Sequence, residues 1–409
     1  MSTLEPFPAL IVRAEWAEHV VSPMHDALSR EERAAILAER PYSWLHVSRT
    51  PDDAADGQEA DPEALDEANA AALRRLLDAG LYEGSPVPAL YIYRLRSADH
   101  VQTGIVGEVP PQAFVDGRVI GHEGVQPERV DALGLHLARL GARSTLVALM
   151  FRADDDIRKI VETTTEGAPL RRFGTGDLEQ SVWRIDDGES IARIRDRLEQ
   201  QPLYITDGHH RAMASVDLWE RSGRPEGAGV PAVLFPEDAL RMLAFHRRIV
   251  GPLPMTVDEL VAQLRERLTV DQAETQPVER GVFGLYVGER WYRLVPAQEG
   301  DLVGVESLDV SRLHREVLEP IFGFGEAGDP GLEFVSDAVP LEELTRRVDE
   351  DGGAAFTLMP PTFDQFVAVA DRDEQMPAKA TYFDPKPRSG LFLRLEDDEP
   401  TPEGLSVTS

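Results

Sequence analysis

Leu203–Tyr204–Ile205–Thr206–Asp207–Gly208–His209–His210–Arg211 is the stretch on which the reading of this chain turns. Leu203 to Ile205 is a short apolar run with aromatic and β-branched content, a strand signal. Beyond the motif, Ala212, Met213, Val216 and Trp219 recur at helical spacing, and the helix is predicted to run to about Arg221. Asp207 occupies the place of an N-cap, whose oxygen accepts from the free amides of a first helical turn. Gly208 permits a close backbone approach that a side chain would obstruct. A helix start favours anions through unsatisfied N–H groups and its dipole. His209, His210 and Arg211 add three donors there, and the planar fork of arginine suits phosphate oxygens. A phosphate site at a strand–turn–helix junction is the expectation. A metal site is the weaker reading, since adjacent helical residues diverge by about 100° whereas helical ligand pairs sit at i and i+4.

Working outward, residues 89–95, 104–109, 145–151 and 231–235 read as strands, and residues 127–140 and 191–198 as helices. Ser29–Arg30–Glu31–Glu32 reads as a capping box opening a helix that stops before Pro41. Asp61–Pro62 reads as an N-cap with proline at the first helical position, the helix ending at Gly80 and the acidic segment 51–63 preceding it as a loop. Past Pro252 the pattern changes: a helix over 257–268, a hairpin of 282–287 with 291–295 around Gly288–Glu289, and a helix over 311–318. The fold class is α+β. The expected division is a core over 1–250, a C-terminal α+β region over 251–395, and an acidic, aromatic-free, disordered tail over 396–409.

The bulk numbers narrow the chemistry. With 42 Lys+Arg against 73 Asp+Glu, the chain carries a net charge of −31, a field that repels nucleic acid and anionic membrane. Solubility, or a salty cytoplasm, explains that charge better than an acidic partner function. No cysteine is present, which excludes disulfides, a thiolate nucleophile and cysteine-ligated zinc. The opening residues show no signal-peptide pattern and no window matches a membrane span, so a cytoplasmic location is expected.

In so acidic a chain, the positions of basic residues are informative. Gly121–His122–Glu123–Gly124 pairs an imidazole with a carboxylate, either an acid/base pair or a solvated loop. Arg247, within Phe245–His246–Arg247–Arg248, and Lys379 and Lys386, at the ends of Lys379–Ala380–Thr381–Tyr382–Phe383–Asp384–Pro385–Lys386, are candidate ligand contacts or ordinary surface cations. Ser22–Pro23–Met24–His25–Asp26 and Pro41–Tyr42–Ser43 read as structural turns, and His136 as a packed helix histidine.

These pieces together resemble the SerK-like family of uncharacterised bacterial and archaeal proteins (domain of unknown function 1015), within the ParB/sulfiredoxin superfamily. The resemblance spans nearly the whole chain. It includes Tyr91–Ile92–Tyr93–Arg94, His122–Glu123, the Asp207–Arg211 core, His246–Arg247 and the run Met376–Pro377–Ala378 through Lys386 to Gly390–Leu391. It implies a ParB/sulfiredoxin-like nucleotide-binding core. In a free-serine kinase of this group the equivalent turn binds phosphate and takes part in catalysis, which falls here on Asp207, His210 and Arg211. A separate glutamate acts as base there, and Glu123 is matched to it by role. The family's usual threonine after His–Glu is replaced by Gly124–Val125–Gln126, and Met24–His25 stands where a tyrosine is usual. The sulfiredoxin reaction is excluded because its cysteine position is His209, and DNA partitioning is disfavoured by charge.

The functional expectation is nucleotide-dependent phosphoryl transfer to a small hydroxyl compound, with serine as candidate acceptor. The alternative is a non-catalytic nucleotide-binding sensor. Glu123, Asp207 and His210 are the catalytic candidates. Gly208, His209, Arg211, His122, Arg247, Lys379 and Lys386 are the candidates for holding ATP or ADP, with Mg²⁺ bridging phosphates.

Overall fold

Strands with hydrogen-bonded neighbours on both edges make up the centre of the part of the chain that carries the motif. The structure, a computed structural model, describes residues 3–53, 61–85, 87–297, 302–325 and 329–396. The motif strand, Leu203–Asp207, lies in an eight-stranded mixed sheet. The order is Val119–Ile120, Leu203–Asp207, Val147–Phe151, Val230–Pro236, Val101–Val109, Leu90–Arg96, Leu178–Ile185, Arg171–Thr175. The motif strand runs parallel to Val119–Ile120 and antiparallel to Val147–Phe151. Every residue of Val147–Phe151 is buried, the pattern of a strand covered on both faces. Leu149, Leu203, Ile205 and Leu234 share one apolar cluster with Ile194 and Leu198 from the helix Gly188–Leu198 and Ala212 from the motif helix. That burial holds the helix start against the sheet.

Local chemistry fixes several elements as expected. Ser29 and Glu32 form the reciprocal cap of the helix Arg30–Glu39. Asp61 caps Pro62–Asp78. The helix Pro127–Leu140 ends at Gly141, whose φ of 61° is the left-handed stop a glycine tolerates. Two expectations change. The helix expected over 257–268 ends at Arg265, and Leu268–Ala273 is a strand whose residues Leu268 and Val270 are buried in alternation. The helix expected over 311–318 is the α-helix Asp309–Leu313 followed by the π-helical turn His314–Leu318.

The chain divides into two compact units, Met1–Leu240 with Pro385–Ser409, and Arg241–Asp384. The division differs from the break near 250 expected from sequence. The change of pattern at Pro252 is only a turn inside the second unit, following the strand Phe245–Ile249. Phe392–Leu395, placed in the C-terminal region by sequence, belongs to the first unit, pairing with Leu10–Val12 and with Ala142–Arg143. The second unit contains an antiparallel sheet in the order Leu268–Ala273, Arg290–Pro296, Phe283–Val287, Ala354–Thr357, Phe245–Ile249, Leu332–Ser336. Most of the acidic segment 51–63, and the expected tail beyond Glu396, lie outside the described residues.

Gly104 records how closely the central strands approach the side chains beside them. A Cβ there would lie 2.6 Å from Phe235 Cδ1 and 2.8 Å from Leu234 O. Gly104→Ala is expected to lower stability by about 1–3 kcal/mol, read as a lower urea midpoint with an unchanged slope. An unshifted midpoint would contradict this packing.

Candidate functional site

Thr206 starts the geometry of the site. Ile205 pairs with Leu149 and Asp207 with Ala148, so Thr206 is left out of register as a bulge. Bulges re-aim the side chains beside them. Gly208 follows at φ 97° and is itself the N-cap of the helix His209–Arg221. Asp207 is therefore not the cap expected from sequence. Its carboxylate is taken by two cations: Arg211 Nη2 donates to Oδ2, and Lys386 Nζ donates to Oδ1 at 2.5 Å. Hydrogen bonds between charged groups are stronger than those to neutral amides, which is why the carboxylate leaves the helix start.

The electrostatics follow. Burial alone raises the Asp207 carboxyl, but the charges of Arg211 and Lys386 outweigh it and hold it below the usual carboxylate range. Burial alone lowers the Lys386 ammonium, and Asp207, with a smaller contribution from Asp26, reverses that and raises it.

Arg211 folds over the glycine. A Cβ on Gly208 would lie 2.6 Å from Arg211 Nη2 and 2.8 Å from Nε. Arg211 Nη1 is 2.7 Å from the Met24 sulfur, so the turn read as merely structural reaches the site. Arg211 Nε and Thr206 Oγ1 are buried without a hydrogen-bond partner among the described residues. The first bond of the helix runs from Ala212 N–H to Gly208 O at 2.9 Å, which leaves the amides of His209, His210 and Arg211 without an intrahelical acceptor. Orphaned donors beside a guanidinium and an ammonium fit an anion with several oxygens.

Lys386 reaches Asp207 because its neighbours are fastened to the sheet. Gln102 Nε2 donates to Pro385 O at 2.8 Å, and the Arg388 N–H donates to the Tyr93 hydroxyl at 3.4 Å. That hydroxyl donates in turn to Gln180 Oε1. Tyr93, Gln102 and Gln180 are all fully buried. Sequence reading missed Gln102 and Gln180 altogether, and the only sign of Tyr93 was its place in Tyr91–Ile92–Tyr93–Arg94.

The second cluster comes to the same helix. Ile120 pairs with Tyr204, so the chain leaves Val119–Ile120 beside the motif strand. The His122 backbone N–H donates to His209 Nε2 at 3.2 Å, and that of Gln126 to His210 Nε2 at 3.1 Å. His209 Nδ1 lies 3.3 Å from Glu123 Oε2. Both ring nitrogens of His209 thus face this loop, a placement the cationic sequence around it does not announce. His122 is buried with its ring 4.5 Å from that of His209, edge to face. Burial, then the nearby His209, pushes its imidazole down to about 3. The hydrogen bond from His209 pulls Glu123 down to about 2 against the effect of burial. Glu123 is therefore ionised at neutral pH but weakly basic. Burial and Arg129 lower His210.

Arg247 and Lys379 belong to the second unit. Arg247 is buried, donates to Phe245 O at 2.9 Å and to Ala378 O and Lys379 O at 3.2 Å, and lies over the Phe334 ring. Burial lowers its guanidinium to about 9. Lys379 Nζ lies over the Phe245 ring, 5.4 Å from its centroid. For a metal ion the fit is poor. Both Asp207 oxygens and one Glu123 oxygen already face cationic or N–H partners. No group of three or more His, Asp or Glu residues suited to a metal occurs among the described residues.

Lys386→Met leaves Asp207 with one cation, so its carboxyl should rise toward the ordinary range. A depressed carboxyl stabilises the fold above about pH 3.9, and that contribution is lost as pH falls through the lower native value. The variant is expected to be about 1.5–3 kcal/mol less stable than wild type near neutral pH, with the gap shrinking below about pH 4. Urea denaturation across that range checks it; a gap independent of pH would contradict the ion triad.

Residues 4–311 match the family described as "protein of unknown function (DUF1015)". Among solved structures, a free serine kinase variant in complex with ADP is 17% identical, the match covering 70% of this chain and 89% of that one at a TM-score of 0.34. SbnI with a C-terminal truncation, from Staphylococcus aureus, is 11% identical, covering 70% and 85% at 0.38. A conserved hypothetical protein from Pyrococcus furiosus is 14% identical, covering 70% and 93% at 0.32. No curated protein matches the sequence significantly. No helix among the described residues is long and apolar enough to cross a membrane. The family match covers well over half of the 409 residues, and the chain belongs to the DUF1015 family.

Proposed function

We propose that this protein binds the phosphate groups of a nucleotide at the Asp207–Arg211 turn and transfers a phosphoryl group to a small hydroxyl compound, with serine the first acceptor to test. One observation carries the reading. Arg211 and Lys386, from segments far apart in sequence, converge on Asp207 at a helix start whose first amides precede the intrahelical ladder. In a chain of net charge −31, two cations gathered beside orphaned donors favour an anionic ligand. We read the surrounding mixed sheet and helices as a ParB/sulfiredoxin-like core on the same grounds as the resemblance.

Phosphoryl transfer asks mainly for positioning and charge neutralisation. In this reading Arg211 and Lys386 exchange part of their hold on Asp207 for phosphate oxygens, and the amides of the first turn hold the remaining ones. Glu123, ionised and half-exposed, accepts the acceptor's hydroxyl proton. Its weak basicity suits a transfer in which the proton leaves late. Mg²⁺, if used, would enter with the nucleotide, because Asp207 presents no unengaged oxygen.

A non-catalytic sensor is the second reading, and one feature favours it. The candidate base is held at about 2 by His209, far from the value at which general bases work best.

Titration with ATP or ADP, followed by serine-dependent release of ADP or AMP, tests both readings. Arg211→Ala is expected to weaken nucleotide binding by about one to two decades, since a hydrogen bond to a charged group contributes roughly 1.5–3 kcal/mol. Arg211→Lys should restore it only in part. Glu123→Gln should leave nucleotide affinity near wild type and abolish turnover. Equal affinity in wild type and Arg211→Ala would remove the phosphate site. Tight binding with no product from any hydroxyl acceptor would favour the sensor.

A further inference from the structure

We infer that His209 and His210 are not phosphate ligands but a two-point clamp that grips the loop 122–126 at its ends and positions Glu123 beside the helix start. This assignment rests on the phosphate reading of the same turn and adds a role for residues that reading would otherwise treat as donors to the ligand.

The hydrogen bonds determine the tautomers. A backbone N–H can only donate, so the His122 amide at 3.2 Å makes His209 Nε2 an acceptor carrying no proton. The neutral ring then has its hydrogen on Nδ1, which faces Glu123 Oε2 at 3.3 Å and donates to it. The Gln126 amide at 3.1 Å likewise makes His210 Nε2 an acceptor. Neither Nε2 is available to donate to a phosphate oxygen while the loop is seated.

Helix geometry explains why two adjacent histidines serve. Neighbouring helical side chains diverge by about 100°, which defeats joint metal binding but suits a grip on two points of a loop. The amides gripped belong to His122 and Gln126, four residues apart in sequence, and Glu123 lies between them. The loop backbone also lies close to the first ring: a Cβ on Gly121 would be 3.2 Å from His209 Cδ2. His209 therefore has two functions that can be separated. Its Nε2 anchors the loop, and its Nδ1–H orients the Glu123 carboxylate.

Amide side chains separate those functions. In His209→Gln the carboxamide oxygen can replace Nε2 as acceptor, while the donor to Glu123 is lost. In His209→Asn the carboxamide N–H can replace Nδ1–H, while the acceptor is lost. Amide hydrogen exchange, Glu123 titration by NMR and ATP affinity by calorimetry are measured on the full chain. The His122 amide is expected to exchange about fivefold to tenfold faster in His209→Ala and His209→Asn than in wild type, with protection recovered in His209→Gln. The Gln126 amide should behave the same way in His210→Ala and His210→Gln. In His209→Gln, Glu123 should titrate well above its wild-type value of about 2, toward the ordinary carboxylate range. ATP affinity should stay within about threefold of wild type in both glutamine variants, against the loss of at least about tenfold expected for Arg211→Ala.

A tenfold loss of ATP affinity in either glutamine variant would place the histidines on phosphate and overturn the clamp. Equal exchange at both amides in wild type and the alanine variants would overturn it as well. If wild type fails to bind ATP, the phosphate reading falls, while the exchange and titration arms still decide whether the clamp exists.

Discussion

The carboxylate of Asp207, held between Arg211 and Lys386, is the contact on which the arrangement of the site depends. It joins a strand end, the first turn of a helix and a segment that returns to the first unit from position 385. Each of its three members is mostly withdrawn from solvent, so removing one partner leaves charge behind in a poorly hydrated place. Much of the local structure can be understood as support for this contact. Thr206 bulges ahead of Asp207, Gly208 takes a left-handed φ so that Arg211 can lie over it, and Met24 backs the guanidinium. Gln102 and Tyr93 fasten the chain on either side of Lys386.

A second, weaker set of contacts gives the site its other wall. The two motif histidines receive backbone amides from the loop after Val119–Ile120, and Glu123 is drawn close to the same helix start. The cationic side and the carboxylate side of the site thus meet at one turn of one helix. Anion binding and proton acceptance need that juxtaposition if they are to act on a single ligand.

Local signals were legible in the sequence where one side chain settles the backbone. The capping residues Ser29 and Asp61 and the strand–turn–helix around Gly208 are of this kind. The hairpin around Gly288–Glu289 was equally clear, both turn residues having positive φ. Long-range choices were not legible. Asp207 had two competing partners, the helix amides and the cations, and only the fold brings Lys386 near enough for the cations to win. Nothing local distinguishes Phe392–Leu395 as a partner of Leu10–Val12, because strand pairing across the length of a chain leaves no periodicity of its own. The surroundings of His209 are equally illegible: its neighbours in sequence are cationic, whereas its neighbours in space include a carboxylate and a backbone amide.

The most direct measurement is a crystal structure of the protein with ADP bound. Phosphate oxygens within hydrogen-bond distance of the first-turn amides and of the Arg211 and Lys386 side chains are the expected result, with the His122 and Gln126 amides still on the histidine rings. Phosphates bound elsewhere, with Asp207 still holding both cations, would contradict the assignment of this turn as the phosphate site.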